Sequence, residues 1–269
     1  MALPADFSLR QIAVPAFGPS AIWSIGVGAV LPVVALSARG LGASIAVAAL
    51  FVGLTGLAEI AAAVPAGVLV ERIGERRAIV LAGVVDAVAC LLALVAPSLW
   101  VLALGVLLMG PSAAIFLLAR QSYLTAAAPV HLRARAMSTL GGVTRIGLFI
   151  GPVVGAPVVA VWGPQAAFGV AVAAGSLASL LAWRTTDLTA HEESAQGGRA
   201  RVPVARVVAE HRRVLLTVGL GVLAIGLARA SRVVVVPLWA ESIGLDAAQT
   251  SLVFAAAAFI EVLLFWPAG

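Results

Sequence analysis

The sequence has no lysine, a single cysteine and few charges of either sign. Its 17 basic residues are all arginine, set against 12 acids, for a net charge of +5. Only 11% of the 269 residues are charged, whereas a soluble domain carries about a quarter. One cysteine, Cys90, excludes an intramolecular disulfide, and its spacing fits no metal site. Its apolar neighbours assign it to core packing. Histidine is also scarce: His131, His191 and His211 all fall in polar stretches. No Ser-His-Asp or His-Glu set can therefore assemble inside the apolar segments, so neither an enzyme nor a cofactor or metal site is expected. The arginines sit mostly in short loops, which gives no surface for nucleic acid.

Apolar sequence dominates instead. Hydrophobic residues make up 62% of the chain, and mean hydropathy is +1.11. Runs of about 20 apolar residues, each long enough to cross the hydrocarbon as a helix, recur between short charged stretches. Eight such segments are read at 12–36, 43–70, 78–96, 99–119, 137–160, 163–183, 214–239 and 248–269. The first is too long for a signal-peptide core and is followed by more spans. A polytopic all-α membrane protein is the fold class, with the lipid bilayer as its first partner. Thirteen arginines, from Arg10 and Arg72 through Arg120 to Arg213, fall on one side of these spans, and only Arg39 falls on the other. The arginine excess makes the first side cytoplasmic and places the N-terminus inside.

One connection is long. Residues 185–213 are polar and contain the pair Gly197-Gly198. They are read as a cytoplasmic linker between a six-helix bundle at 1–184 and the first two helices of a second bundle at 214–269.

The chain's last segment echoes an earlier one. EIAAAVPAG at 59–67 and EVLLFWPAG at 261–269 share Glu, Pro, Ala and Gly at one offset of 202 residues. Leu31-Pro32 is matched to Val236-Pro237, and Gly40-Leu41 to Gly244-Leu245, with small shifts in offset. The seventh and eighth spans thus repeat the first and second. A repeated bundle is a known way to build a transporter, with the binding site between the halves. The repeat also leads to the expectation that an acidic-basic loop and four further spans follow Gly269.

The loop GVLVERIGERR, Gly67 to Arg77, resembles the loop between helices 2 and 3 of the major facilitator superfamily, with the pattern Gly-x-x-x-Asp-Arg-x-Gly-Arg-Arg/Lys. Gly67, Arg72, Gly74 and Arg76 match; Glu71 replaces Asp, and Glu75 replaces the first basic residue of the final pair. The resemblance implies that Glu71, Arg72, Arg76 and Arg77 belong to a conformational switch between bundles. Read without the family, Gly74 suits a tight turn and the arginines hold the loop in the cytoplasm.

The fifth span contains GLFIGPVVGA, Gly147 to Ala156. Gly147, Gly151 and Gly155 share one helix face and permit close approach of a second backbone. Pro152 frees a carbonyl one turn earlier. The stretch is similar to a G-x-x-x-G-P-x-x-G-G pattern in members that exchange drugs for protons, which implies antiport. Helix 4 departs from such members, however. Aligned on Gly110, the places of their Arg and Gln hold Val106 and Met109.

Ionisable residues inside spans are costly and usually functional. Glu59, Asp86, Arg145 and Glu261 are all expected about 12–14 Å from the cytoplasmic ends of their spans. Arg145 is the expected partner of Glu59 or Asp86. The layer serves either as a proton-coupling site or as a structural ion-pair set. Arg229 and Arg232 lie in the outer half of the seventh span as candidate substrate contacts, Arg229 for an anionic substrate group, with snorkelling to the membrane edge as the alternative for Arg232. Trp23 and Tyr123 are candidate cavity aromatics, although lone aromatics more often serve as packing or interface anchors. These features point to a secondary transporter of a bacterial inner membrane moving a small-molecule substrate. Proton-coupled efflux of an amphipathic compound is the leading mode, with an uptake permease or a non-transporting scaffold as alternatives.

Overall fold

A computed structural model describes residues 13–184 and 212–268. Most of the linker, with His191 and His211, lies outside these residues, as do Arg10 and Gly269. Every regular element among the described residues is helical, as an apolar chain in lipid requires, since a helix satisfies its own backbone donors and acceptors. The helices are α1 (Ala13–Val30), α2 (Val34–Gly40), α3 (Ile45–Ile73), α4 (Glu75–Leu94), α5 (Leu99–Ala127), α6 (Arg133–Trp162), α7 (Ala167–Arg184), α8 (Arg212–Ser242) and α9 (Ala247–Ala268). They form eight stretches long and apolar enough to cross a membrane.

Span number and order agree with the hydropathy pattern; the ends do not. The first span is two helices, because Pro32 has no N–H and the chain turns once through 31–33 before α2 starts. The fourth span runs to Ala127 rather than 119, which puts Arg120 two turns inside α5 instead of in a loop. Apolar runs stop at the first charge, but a helix does not need to. The ion layer is therefore deeper than expected for three of its members. Counted to the helix ends, Glu59, Asp86 and Arg145 lie about 16–21 Å in.

Small residues set the packing. α4 lies against α5 and α7, α5 against α3, and α1 against α6 and α7. A Cβ on Gly105 of α5 would meet the Ala89 carbonyl of α4 at 2.8 Å, and one on Gly26 of α1 would meet Ala171 and Ala174 of α7. Backbones this close need glycine and alanine. The core follows these contacts, with Ala89, Cys90, Ala93, Leu102, Val106 and Phe168 all buried. α9 packs on α6, while α8 leans lightly on α2, α3 and α9 and, among its described side chains, buries Pro237 and Ala240.

The repeat is visible in the turns. Gly42 and Gly244 both take positive φ, at 87° and 86°, and they are 202 residues apart. Ala43 N–H bonds the Ala38 carbonyl, and Leu245 N–H bonds the Ala240 carbonyl, each at 3.0 Å. Ser44 then accepts from Val47 N–H, as Asp246 does from Gln249 N–H. These are helix stop-and-start signals in equivalent places. The partner of Gly244 is thus Gly42, not Gly40, because the left-handed conformation rather than the Gly-Leu dipeptide defines the turn. Pro32 and Pro237 are not equivalent either: one breaks a span and the other lies within α8.

Candidate functional site

The loop at 67–77 closes on a single residue. α3 ends at Ile73, α4 begins at Glu75, and Gly74 between them has φ 83°, ψ 156°. Its N–H bonds the Val70 carbonyl, and its own carbonyl accepts from Ala78. Arg76 donates from Nε to the Ala182 carbonyl at 3.1 Å and from Nη2 to the Trp183 carbonyl. It thus ties the start of α4 to the last turn of α7, where the helix dipole favours a cation. Glu75 accepts from Ser122 of α5 at 2.7 Å. Glu71, Arg72 and Arg77 are exposed, and Gly67 is partly buried near Leu118.

The glycine face of α6 meets α1. A Cβ on Gly147 would strike Ser24 and the Ala21 carbonyl, and one on Gly151 would strike the backbone at Ile25, Gly28 and Ala29. A Cβ on Gly155 would meet the Ala29 Cβ at 3.3 Å, a tight contact that needs only a small shift. Pro152 leaves the Leu148 carbonyl without its helical donor. That oxygen faces Gly28, 2.8 Å from where a Cβ would stand. The motif therefore joins α6 to α1. A different face of α6 meets α9, with Phe149 and Phe259 rings 5.3 Å apart.

The expected ion layer does not gather at one point. Glu59, half-buried on α3, sits beside Gly110 of α5. Asp86 is buried between α4, α5 and α7, next to Ser112 and Gly175. α5 separates the two acids. Arg145 lies on α6, and no ion pair joins it to Glu59 or Asp86 among the described residues. The ion pairs found there are Arg39–Glu241 and Arg232–Glu261. Arg232 Nη1 stands 2.7 Å from Glu261 Oε1, so this arginine has an acid partner on α9 instead of only snorkelling. Arg229 is exposed along α8.

Two features escaped the sequence. Arg39 Nε lies 3.2 Å from both carboxylate oxygens of Glu241, and its Nη1 bonds the Ala43 carbonyl. The pair links α2 to α8 at the arginine-poor end, between residues 202 apart. The repeat offset marks the two as equivalent positions, though not as a contact. The second is Arg120. Its Nη1 donates to Thr144 Oγ1 of α6 at 3.2 Å, and its guanidinium stands over the Phe116 ring, 5.9 Å from the centroid. Trp23 and Tyr123 are packed, which is the commoner of the two roles expected of lone aromatics. Trp23 meets Phe116 edge-on, and Tyr123 lies with Phe17, Leu124 and Leu140.

The Major Facilitator Superfamily sequence model matches residues 20–269. No curated protein sequence matches the chain. Among solved structures, a D-xylose-proton symporter superposes with a TM-score of 0.70 at 14% identity, covering 95% of this chain and 67% of its own. A peptide transporter POT mutant superposes at 0.55 with 17% identity in complex with alafosfalin, and at 0.55 with 16% identity in complex with sulfate. Each of these two matches covers 83% of this chain, which spans half the length of the peptide transporter.

Proposed function

The chain belongs to the Major Facilitator Superfamily, and on that premise we propose that it serves in secondary transport, moving a small molecule across a membrane by alternating access. The superfamily is one of transporters. The observation that carries the reading is the Arg39–Glu241 pair. Equivalent turns of two repeats meet across their interface at one end of the spans, held by a charge contact with partly exposed side chains, 32% and 37%. An ion pair this exposed contributes about 1 kcal/mol or less, so the closure is easily reversed. A symmetric interface that opens and recloses around a central site is what alternating access needs.

The finer reading is proton-coupled efflux of an amphipathic compound from a bacterial cell, with the arginine-rich side in the cytoplasm. The glycine pattern of α6 supports exchange, and the likeness to a D-xylose-proton symporter supports the proton as coupling ion. Glu59, half-buried beside α5, is the coupling residue we favour; Asp86, enclosed by three helices of one bundle, is structural. The loop residues Glu71, Arg72, Arg76 and Arg77 are proposed to act in switching.

Inverted membrane vesicles test this. With a proton gradient imposed, substrate-dependent proton release should be lost in Glu59→Gln and kept in Asp86→Asn once both are matched for protein level. Unchanged release in Glu59→Gln would end its coupling role. Absence of gradient-driven movement of any solute in the wild type would remove the transporter reading itself.

A further inference from the structure

The unexplained group in the first bundle is Arg120. A guanidinium carries five N–H donors and its charge is not lost inside a protein. Inside a span such a cation is costly unless it is paired. Here one donor, Nη1, reaches a neutral threonine. Nε is buried with no hydrogen-bond partner among the described residues. No described acid forms an ion pair with this arginine. Glu75, on the neighbouring α4, takes a hydrogen bond from Ser122 instead. Asp86 lies beside Ser112, two turns further along α5, and Glu59 beside Gly110.

The surroundings are built rather than incidental. Phe116 lies one turn from Arg120 on the same face of α5 and is buried against Trp23 of α1. A cation over an aromatic face is held in place but not neutralised. On the other side Tyr123, Phe17 and Leu140 close an apolar cluster. Thr144 fixes the guanidinium from α6, and Arg145 follows it in the chain. The residue as a whole stays partly exposed. A positive, forked donor set in apolar walls fits a planar or tetrahedral oxyanion carried on an apolar body.

We propose that Arg120, positioned by Thr144 and Phe116, binds the anionic head of an amphiphilic substrate: a carboxylate, sulfonate or phosphate ester. The proposal rests on the transporter reading for its meaning, because it names the class of molecule moved. Specificity follows from the same chemistry. A neutral amide or an amine of the same shape leaves the cation unpaired or repels it, so discrimination is by charge before shape.

The test is equilibrium binding to the purified wild-type protein in nanodiscs. The probes are indole-3-acetate, benzenesulfonate and phenyl phosphate, each against a neutral or cationic analogue; for the first these are indole-3-acetamide and tryptamine. At least one anion is expected to bind saturably, and its analogues about 10-fold or more weaker. Arg120→Gln should weaken the anion about 10-fold or more, while Arg120→Lys should weaken it less. Thr144→Val keeps the charge and should weaken it about threefold, which decides the matter if Arg120→Gln does not fold. Saturable binding of none of the anions, equal binding of the neutral analogue, or unchanged affinity in both Arg120→Gln and Thr144→Val would overturn the site. Vesicle transport separates the two readings. Anion binding without any transport would keep the site and remove the transporter. Transport of a neutral amphiphile, indifferent to Arg120→Gln, would keep the transporter and remove the site.

Discussion

Gly74 forms the entire connection between α3 and α4, and its φ and ψ lie in a region that only glycine enters freely. Gly74→Ala should therefore cost about 1–3 kcal/mol, seen as a lower thermal midpoint of the detergent-solubilised protein. Gly53→Ala is the control. It sits on α3 with nothing within 4 Å of its Cβ, and it should raise or preserve the midpoint. Equal losses in both would refute the strained-turn account. Arg76 offers a second test at this scale. Its two hydrogen bonds go to different carbonyls of α7, which a forked side chain reaches and an ammonium does not. Arg76→Lys should thus lower the midpoint nearly as much as Arg76→Gln. Full rescue by lysine would mean that charge alone matters there.

At the scale of helices, α6 and α1 are locked by glycines whose importance is unequal. A Cβ at Gly151 would meet the Ala29 nitrogen at 2.6 Å and the Gly28 carbonyl carbon at 2.8 Å, while one at Gly155 meets the Ala29 Cβ at 3.3 Å. The overlap at Gly151 forces the two helices apart, whereas that at Gly155 needs a shift of only a few tenths of an ångström. Gly151→Ala is expected to cost about 1–3 kcal/mol of stability and Gly155→Ala less, measured by the same thermal assay. A reversed order would contradict the packing described. The glycine spacing announced a close helix neighbour but not its identity, because which helix lies opposite is a long-range fact that local pattern does not encode. The same limit explains the ion layer. Helix number, order and the repeat could be read from hydropathy and short matches, since span length and composition are local. That α5 stands between Glu59 and Asp86 could not. Arg120 was missed for a simpler reason: an arginine at the edge of an apolar run reads as a loop residue, although the helix continues to Ala127.

For the molecule as a whole, the informative contact is the one between its repeats. Arg39 and Glu241 occupy the same position in two copies of one helix-turn-helix unit, 202 residues apart, so any motion relating the copies by their pseudo-symmetry acts directly on this pair. If the pair is a gate, it must separate when that end opens. With the native Cys90 replaced by alanine, Arg39→Cys and Glu241→Cys provide two thiols where the charges now meet. A short, reducible bifunctional thiol reagent should join them, stop transport in vesicles, and release it when the link is cleaved. Charge reversal gives the complementary measurement. Arg39→Glu and Glu241→Arg should each place like charges in contact and bias the protein towards opening at this end, read as increased alkylation of a cysteine placed at Leu41. The double reversal should restore the wild-type value, because the ion pair is re-formed with its ends exchanged. Cross-linked protein that transports at the full rate would show that the two turns stay together through the cycle. The repeats would then be joined at that end as a fixed hinge, and opening would have to occur at the arginine-rich end alone.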